Sequence, residues 1–177
     1  MGRTKAYRRP RRRPAGQALV ELALVAPILM LILGAVVQLG LIYERQIGIQ
    51  NAVRDAARRA ATFETTSAAD GATNGSFTWH LLTDPDGMLA SNVQGYDGSP
   101  STLLVSQVCY RTEVDPAGDD SVMVDVRVRY AHPLFMPLVS TLLDGFDGAA
   151  DNAFQIEASA EFRVQNRTPA SVDLCRP

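Results

Sequence analysis

The chain has 177 residues and a formal net charge of −2, which leaves room for one compact domain plus an anchor and little more. The small net charge hides a segregation: residues 1–16 hold seven basic groups (Arg3, Lys5, Arg8, Arg9, Arg11, Arg12, Arg13) and no acid, whereas the remainder sets 10 arginines against 19 acids, a balance of −9. Two cysteines, Cys109 and Cys175, are too few for a disulfide framework and are not spaced as zinc ligands.

The basic leader is followed from Leu22 to Tyr43 by 22 residues without a charge, LALVAPILMLILGAVVQLGLIY. At ~1.5 Å rise per residue a helix of that length reaches about 33 Å, enough to cross a hydrocarbon core of ~30 Å. Pro27 and Gly34 lie inside it; both are penalised in soluble helices and tolerated in membrane ones. The arginines on the N-terminal flank orient such a helix with its N-terminus in the cytoplasm and its C-terminal side exported. An ordinary secretory signal fits worse, because its apolar core is ~7–15 residues with a small-residue cut site beyond it. The arginine pairs lack the polar context and following phenylalanine of a twin-arginine export signal. Nucleic-acid binding by the leader is the weaker reading: it holds one aromatic, Tyr7, and no folded platform.

Beyond Tyr43 the helix is expected to continue to about Thr62. In ERQIGIQNAVRDAARRAA, Ile49, Val53, Ala56 and Ala60 recur at helical spacing, with Arg45, Asp55, Arg58 and Arg59 assigned to the polar side. A helix from about Leu19 to Thr62 would be ~65 Å long, half in the membrane and half projecting. SAADGATNGS then reads as a loop, and residues 64–100 as loops with at most a short helical turn. Within them, Phe77 and Trp79 fit a core anchor or an exposed contact equally well.

The rest reads as β-rich. Val122, Val124, Val126, Val128 and Tyr130 alternate with Met123, Asp125, Arg127 and Arg129, and Phe154, Ile156, Ala158, Ala160, Phe162 and Val164 alternate with polar residues in the same way. Leu103 to Glu113 is a third strand, joined to the first of these by Asp115-Pro116-Ala117-Gly118-Asp119-Asp120, which has turn chemistry. A sheet with one apolar face needs a cover, and the exported half of the helix is the natural one. Three segments result: a cytoplasmic leader 1–16, a transmembrane helix with its extension 17–62, and an exported domain 63–177. The fold class is α+β, a helix carrying a small antiparallel sheet of about three or four strands at its exported end, as on a stick.

No catalytic constellation is legible. His80 and His132 are the only histidines, both in loop-like contexts, and read as satisfied or solvated rather than as ligands. There is no Gly-x-Ser-x-Gly elbow, phosphate-cradling loop or Cys/His cluster, so neither an enzyme nor a cofactor is expected. Asp115, Asp119 and Asp120, and separately Asp144, Asp147 and Asp151, have the ligand chemistry of calcium, but turn and loop solubility explains them as well, and no metal is assigned. Cys109 and Cys175 are expected to form a disulfide tying the C-terminal tail to the first strand, with two unpaired thiols as the alternative; an exported domain permits it.

The most informative segment is where leader meets helix: Arg11-Arg12-Arg13-Pro14-Ala15-Gly16, then Gln17-Ala18-Leu19-Val20-Glu21. A basic leader ends in glycine, and a lone glutamate follows five residues later at the start of the apolar helix. This resembles the processing site of type IV-like prepilins, which a membrane-embedded aspartyl peptidase cuts after the glycine on the cytoplasmic side. The resemblance implies a cut between Gly16 and Gln17, with Glu21 as the fifth mature residue. The physics agrees: glycine leaves the backbone open to a protease, and a carboxylate at the hydrocarbon edge costs about 2–3 kcal/mol by insertion scales and needs a partner. The new α-amino group of Gln17, or of a neighbouring subunit, can be that partner, and the helix dipole favours the acid there.

Val20-Glu21-Leu22-Ala23-Leu24-Val25-Ala26-Pro27, then Gln38-Leu39-Gly40 and the Arg/Ala-rich stretch Asn51 to Ala61, resembles the TadE-like subunits of the tight-adherence (Flp) pilus system. The likeness is specific over about residues 14–61, loose over 121–165 and absent from 64–100. Leu22 departs from the bulky aromatic many relatives carry after the glutamate, which bears on subtype. The resemblance implies a minor pilin, or pseudopilin, whose partners are other pilins of the same system, prepilin peptidase, the inner-membrane assembly platform and the bilayer. Its helices would associate through close packing, with Gly34 and Gly40 permitting approach beside Pro27. The alternative is an uncleaved single-pass protein whose exported domain binds an envelope partner.

Overall fold

A computed structural model describes residues 15–63, 68–99, 102–114, 120–136, 139–141, 145, 152–164 and 174–176. The leader up to Pro14, the Asp115–Asp119 turn and the second acidic group (Asp144, Asp147, Asp151) lie outside the described residues. The chain divides into two compact units, one ending at Val37 and one beginning at Gln38.

Helix α1 runs unbroken from Ala15 to Ala60, with Pro27 inside it. It starts four residues before the boundary expected at Leu19. Across the first unit its large apolar side chains are exposed: Leu22 at 61%, Leu24 at 69%, Ile28 at 62% and Leu33 at 60%.

The second unit is an antiparallel sheet covered on one face by helix. Strands β1 (Leu103–Val114), β2 (Asp120–Pro133), β3 (Ala153–Arg163) and β4 (Leu174–Arg176) lie in the order β3-β2-β1-β4. The period-two alternation sets the register: Val108 pairs with Val126 and Tyr110 with Val124, while across β2 and β3 Tyr130 pairs with Ile156 and Val128 with Ala158. The opposite face carries the charges, tied at its surface by Arg127–Asp125 at 3.4 Å and Arg129–Glu157 at 3.4 Å. Such exposed pairs contribute at most ~1 kcal/mol each. β4 was not legible as a strand; it is three residues long and pairs only with Val108–Tyr110.

The apolar face of the sheet shares one core with α1 residues Ile42, Ile49, Ala52, Val53, Ala56, Ala57 and Ala60. Their spacing of three and four keeps them on one side of the helix, while Arg54, Asp55, Arg58 and Arg59 are exposed. The Tyr110 hydroxyl donates to the Ala60 carbonyl at 3.2 Å, occupying an acceptor left over at the helix end.

Residues 64–100 depart from the loop expectation. α2 spans Ala68–Thr83 and α3 spans Met88–Asn92. Glycine and asparagine in ADGATNGS disfavour an isolated helix by up to ~1 kcal/mol each. The buried residues of α2 nevertheless fall at Gly71, Gly75, Thr78, Leu82 and Thr83, a helical stripe. Its two glycines stand on the buried side, so packing overrides local propensity. Trp79 is partly buried against the core, with its indole Nε1 donating to Ser106 Oγ at 2.6 Å, whereas Phe77 is 55% exposed and meets Phe63 edge-on.

Candidate functional site

The candidate site begins at the N-terminal end of α1. Gly16, Gln17 and Glu21 are all exposed and all helical, and a Cβ placed on Gly16 would meet nothing within 4 Å. Side chains on a helix tilt toward its N-terminus, so the Glu21 carboxylate reaches back one turn. There the Gln17 side-chain amide donates to Glu21 Oε1 at 3.3 Å. Glu21 is the one acid before Glu44, and its acceptor oxygen faces the residue that follows Gly16.

From Leu22 onward the helix offers only apolar and small side chains until Gln38. Pro27 is exposed, Gly34 half-buried and Gly40 exposed with nothing within 4 Å of a would-be Cβ. At Gly40 the backbone is therefore open to close approach by another helix.

The second unit opens on a polar cluster that sequence reading missed. Gln38 is fully buried and its Oε1 accepts the Met136 backbone N–H at 3.1 Å. One turn further is Ile42, then Arg45, then Ile49, all at three- or four-residue steps. Arg45 was assigned to the polar side of the helix, but it is half-buried, and its Nε and Nη1 are enclosed without a hydrogen-bond partner. The 42-45-49 spacing is the signal that places it on the inner face. His132 is 6% exposed at the end of β2, with neither ring nitrogen bonded. Burial lowers its pKa first, the Arg45 charge lowers it further, and Glu44 opposes both. His132 is therefore neither in a loop nor solvated: it is a buried imidazole near the end of a strand, where its surroundings favour the neutral form. His80 also lies outside a loop, in α2, where its exposed Nδ1 sits 3.3 Å from Asp84 Oδ1.

Cys109 and Cys175 are joined by a disulfide, on paired positions of β1 and β4 with their Cα atoms 4.0 Å apart. One further close contact was not legible: a Cβ on Gly48 would overlap the backbone carbonyl oxygen of Asn92 at the end of α3. Among the described residues, no three His, Cys, Asp or Glu side chains gather as a metal site.

One helix is long and apolar enough to cross a membrane, and it leads into a small α+β domain. Residues 16–58 match the family model described as TadE-like protein, a match that starts at Gly16, runs along α1 and includes none of the sheet. No curated protein and no solved structure matches the chain.

Proposed function

We propose that the protein is a minor pilin-type subunit of a tight-adherence pilus, held in the inner membrane by α1 and matured by removal of residues 1–16. The observation that carries this reading is the junction itself. A basic leader ends at Gly16, Glu21 stands one turn beyond Gln17 with its carboxylate turned back toward it, and an uncharged apolar helix follows. Cleavage after Gly16 would put an ammonium group at Gln17. The exposed Glu21 carboxylate would then have an ammonium group near the side-chain amide it already accepts from, and a charge-assisted hydrogen bond is roughly twice as strong as a neutral one. The TadE-like match supports the same assignment.

In this reading the role is structural rather than catalytic, the leader is cytoplasmic, and residues 63–177 are exported. Other pilins of the system contact the apolar half of α1, with prepilin peptidase and the inner-membrane assembly platform as transient partners. Mass spectrometry of the membrane-extracted protein tests it: a mature N-terminus at Gln17 is expected in cells with an active prepilin peptidase. An intact Met1 in those cells would overturn it. One observation favours the uncleaved alternative, in which the exported domain binds an envelope partner. The Gly16–Gln17 bond lies within the first turn of α1, so a peptidase must unwind that turn to reach an extended backbone. Glu21→Gln separates the two: a pilin loses assembly, whereas an uncleaved binder is indifferent.

A further inference from the structure

The second unit holds a pocket of about 600 Å³ formed by the end of α2, the segment after α3 and the start of β1. That volume falls in the ~300–1,000 Å³ range of pockets that enclose a ligand or a large side chain. Trp79, Tyr96 and Leu103 supply apolar wall, Leu104 is 42% exposed, and Asp84 and Asp97 contribute carboxylates; among the described residues no lysine or arginine lines it.

Its walls are held in place before any ligand arrives. Trp79 is pinned to Ser106, and the Tyr96 hydroxyl donates to the Thr83 carbonyl at 2.8 Å. Asp97 Oδ1 accepts the Ser99 backbone N–H at 2.9 Å, which fixes its side chain on the turn. Among the described residues neither carboxylate is paired with a lysine or arginine; Asp84 has only His80. Their field is evident at Tyr96, whose hydroxyl pKa is raised by burial first and then by Asp97, Tyr130 and Asp84. Residues 17–177 carry a balance of −9, which draws cationic partners over a longer range.

We infer that this pocket receives an arginine or lysine side chain of a partner polypeptide. Asp84 and Asp97 hold the cation, and the methylene stem lies along Trp79 and Leu103, where aromatic surface also favours a cation. Leu104 stands exposed at the pocket and offers an apolar contact to the residues flanking that cation. A free amine would have no use for it. The inference does not depend on the pilus assignment and holds whether or not residues 1–16 are removed.

Trp79 is the sole tryptophan, so its fluorescence reports directly on the pocket in the full chain in detergent micelles. The probe is the acetylated, amidated peptide Ala-Leu-Arg-Leu-Ala, against the same peptide with citrulline for arginine and against agmatine. A saturable change in Trp79 emission is expected with the arginine peptide, with affinity roughly tenfold lower for the citrulline peptide. Asp84→Asn with Asp97→Asn is expected to remove that preference, while Asp86→Asn, outside the lining, keeps it. Should the double variant fail to fold, Asp84→Asn alone, at a half-exposed side chain, is expected to weaken binding by about threefold. No saturable change, equal affinity for the citrulline peptide, or an unaltered Asp84→Asn protein would overturn the inference. So would agmatine binding as tightly as the peptide, which would assign the pocket to a small amine instead.

Discussion

Residues 16–37 and 38–60 belong to one continuous helix, yet they dispose of apolar surface in opposite ways. In the first stretch large side chains stand outward: Leu24, Met30 and Leu33 are each 60–69% exposed. In the second, small ones are hidden: Ala52, Ala56, Ala57 and Ala60 are all at 0%. Large outward side chains suit a helix whose surroundings are lipid tails or other helices. Alanines at three- and four-residue steps suit a helix that must lie close against a sheet. Helix propensity does not distinguish the two, since leucine and alanine are both strong helix formers. What differs is which solvent or surface each stretch is built to meet.

The largest expected effect lies in the second stretch's domain. Replacing Cys175 with Ser opens a link between residues 66 apart in sequence, and should lower stability by about 2–4 kcal/mol. Denaturant titration in detergent checks this, and residues 16–37 should stay helical throughout, since no part of that stretch depends on the sheet pairing. Leu33→Arg probes the first stretch. A charge near the middle of a bilayer-spanning helix costs ~2.5–3.5 kcal/mol on insertion scales, so the variant should leave the membrane fraction while an arginine at the exposed Gln17 should not. Membrane retention of Leu33→Arg would break the comparison.

A smaller effect sharpens it. Gly48→Ala should gain up to ~1 kcal/mol of helix propensity, but the new methyl would overlap the Asn92 carbonyl oxygen, which is backbone and yields little. Overpacking costs about 1–3 kcal/mol, so net destabilisation is expected. At Gly40, where nothing lies within 4 Å, the same change should be neutral or favourable in the isolated protein. Thermal melts of the two variants compare the positions directly.

The smallest expected effect is a pH dependence from His132. Its folded pKa is lowered, first by burial and then by Arg45, so the unfolded chain takes up the proton more readily. Stability is complete above the unfolded value of about 6.5 and falls as pH drops through it toward the folded value. The urea midpoint should decline between about pH 7.5 and pH 5.5, and His132→Gln should flatten that slope. An unchanged slope in the variant would remove His132 as the cause.

Read as a string, the chain already declares everything that depends on repetition at a fixed period. The uncharged run from Leu22 to Tyr43 and the alternations around Val126 and Ala158 repeat a simple rule often enough to be recognised without neighbours. The Gly16–Glu21 junction stands out in the string for a different reason, because charge, glycine and a lone acid fall in a fixed order. Features made by meetings between distant residues were not legible. α2 forms although Gly71 and Gly75 are poor helix formers, because that side of the helix is buried in the domain, and local propensity does not count burial. Arg45 and His132 meet only once the helix lies on the sheet, and the Asp84–Asp97 pocket requires α2, the segment after α3 and β1 together. Periodicity is a property of one segment and can be read from it; burial belongs to the partner, which only the folded chain brings near.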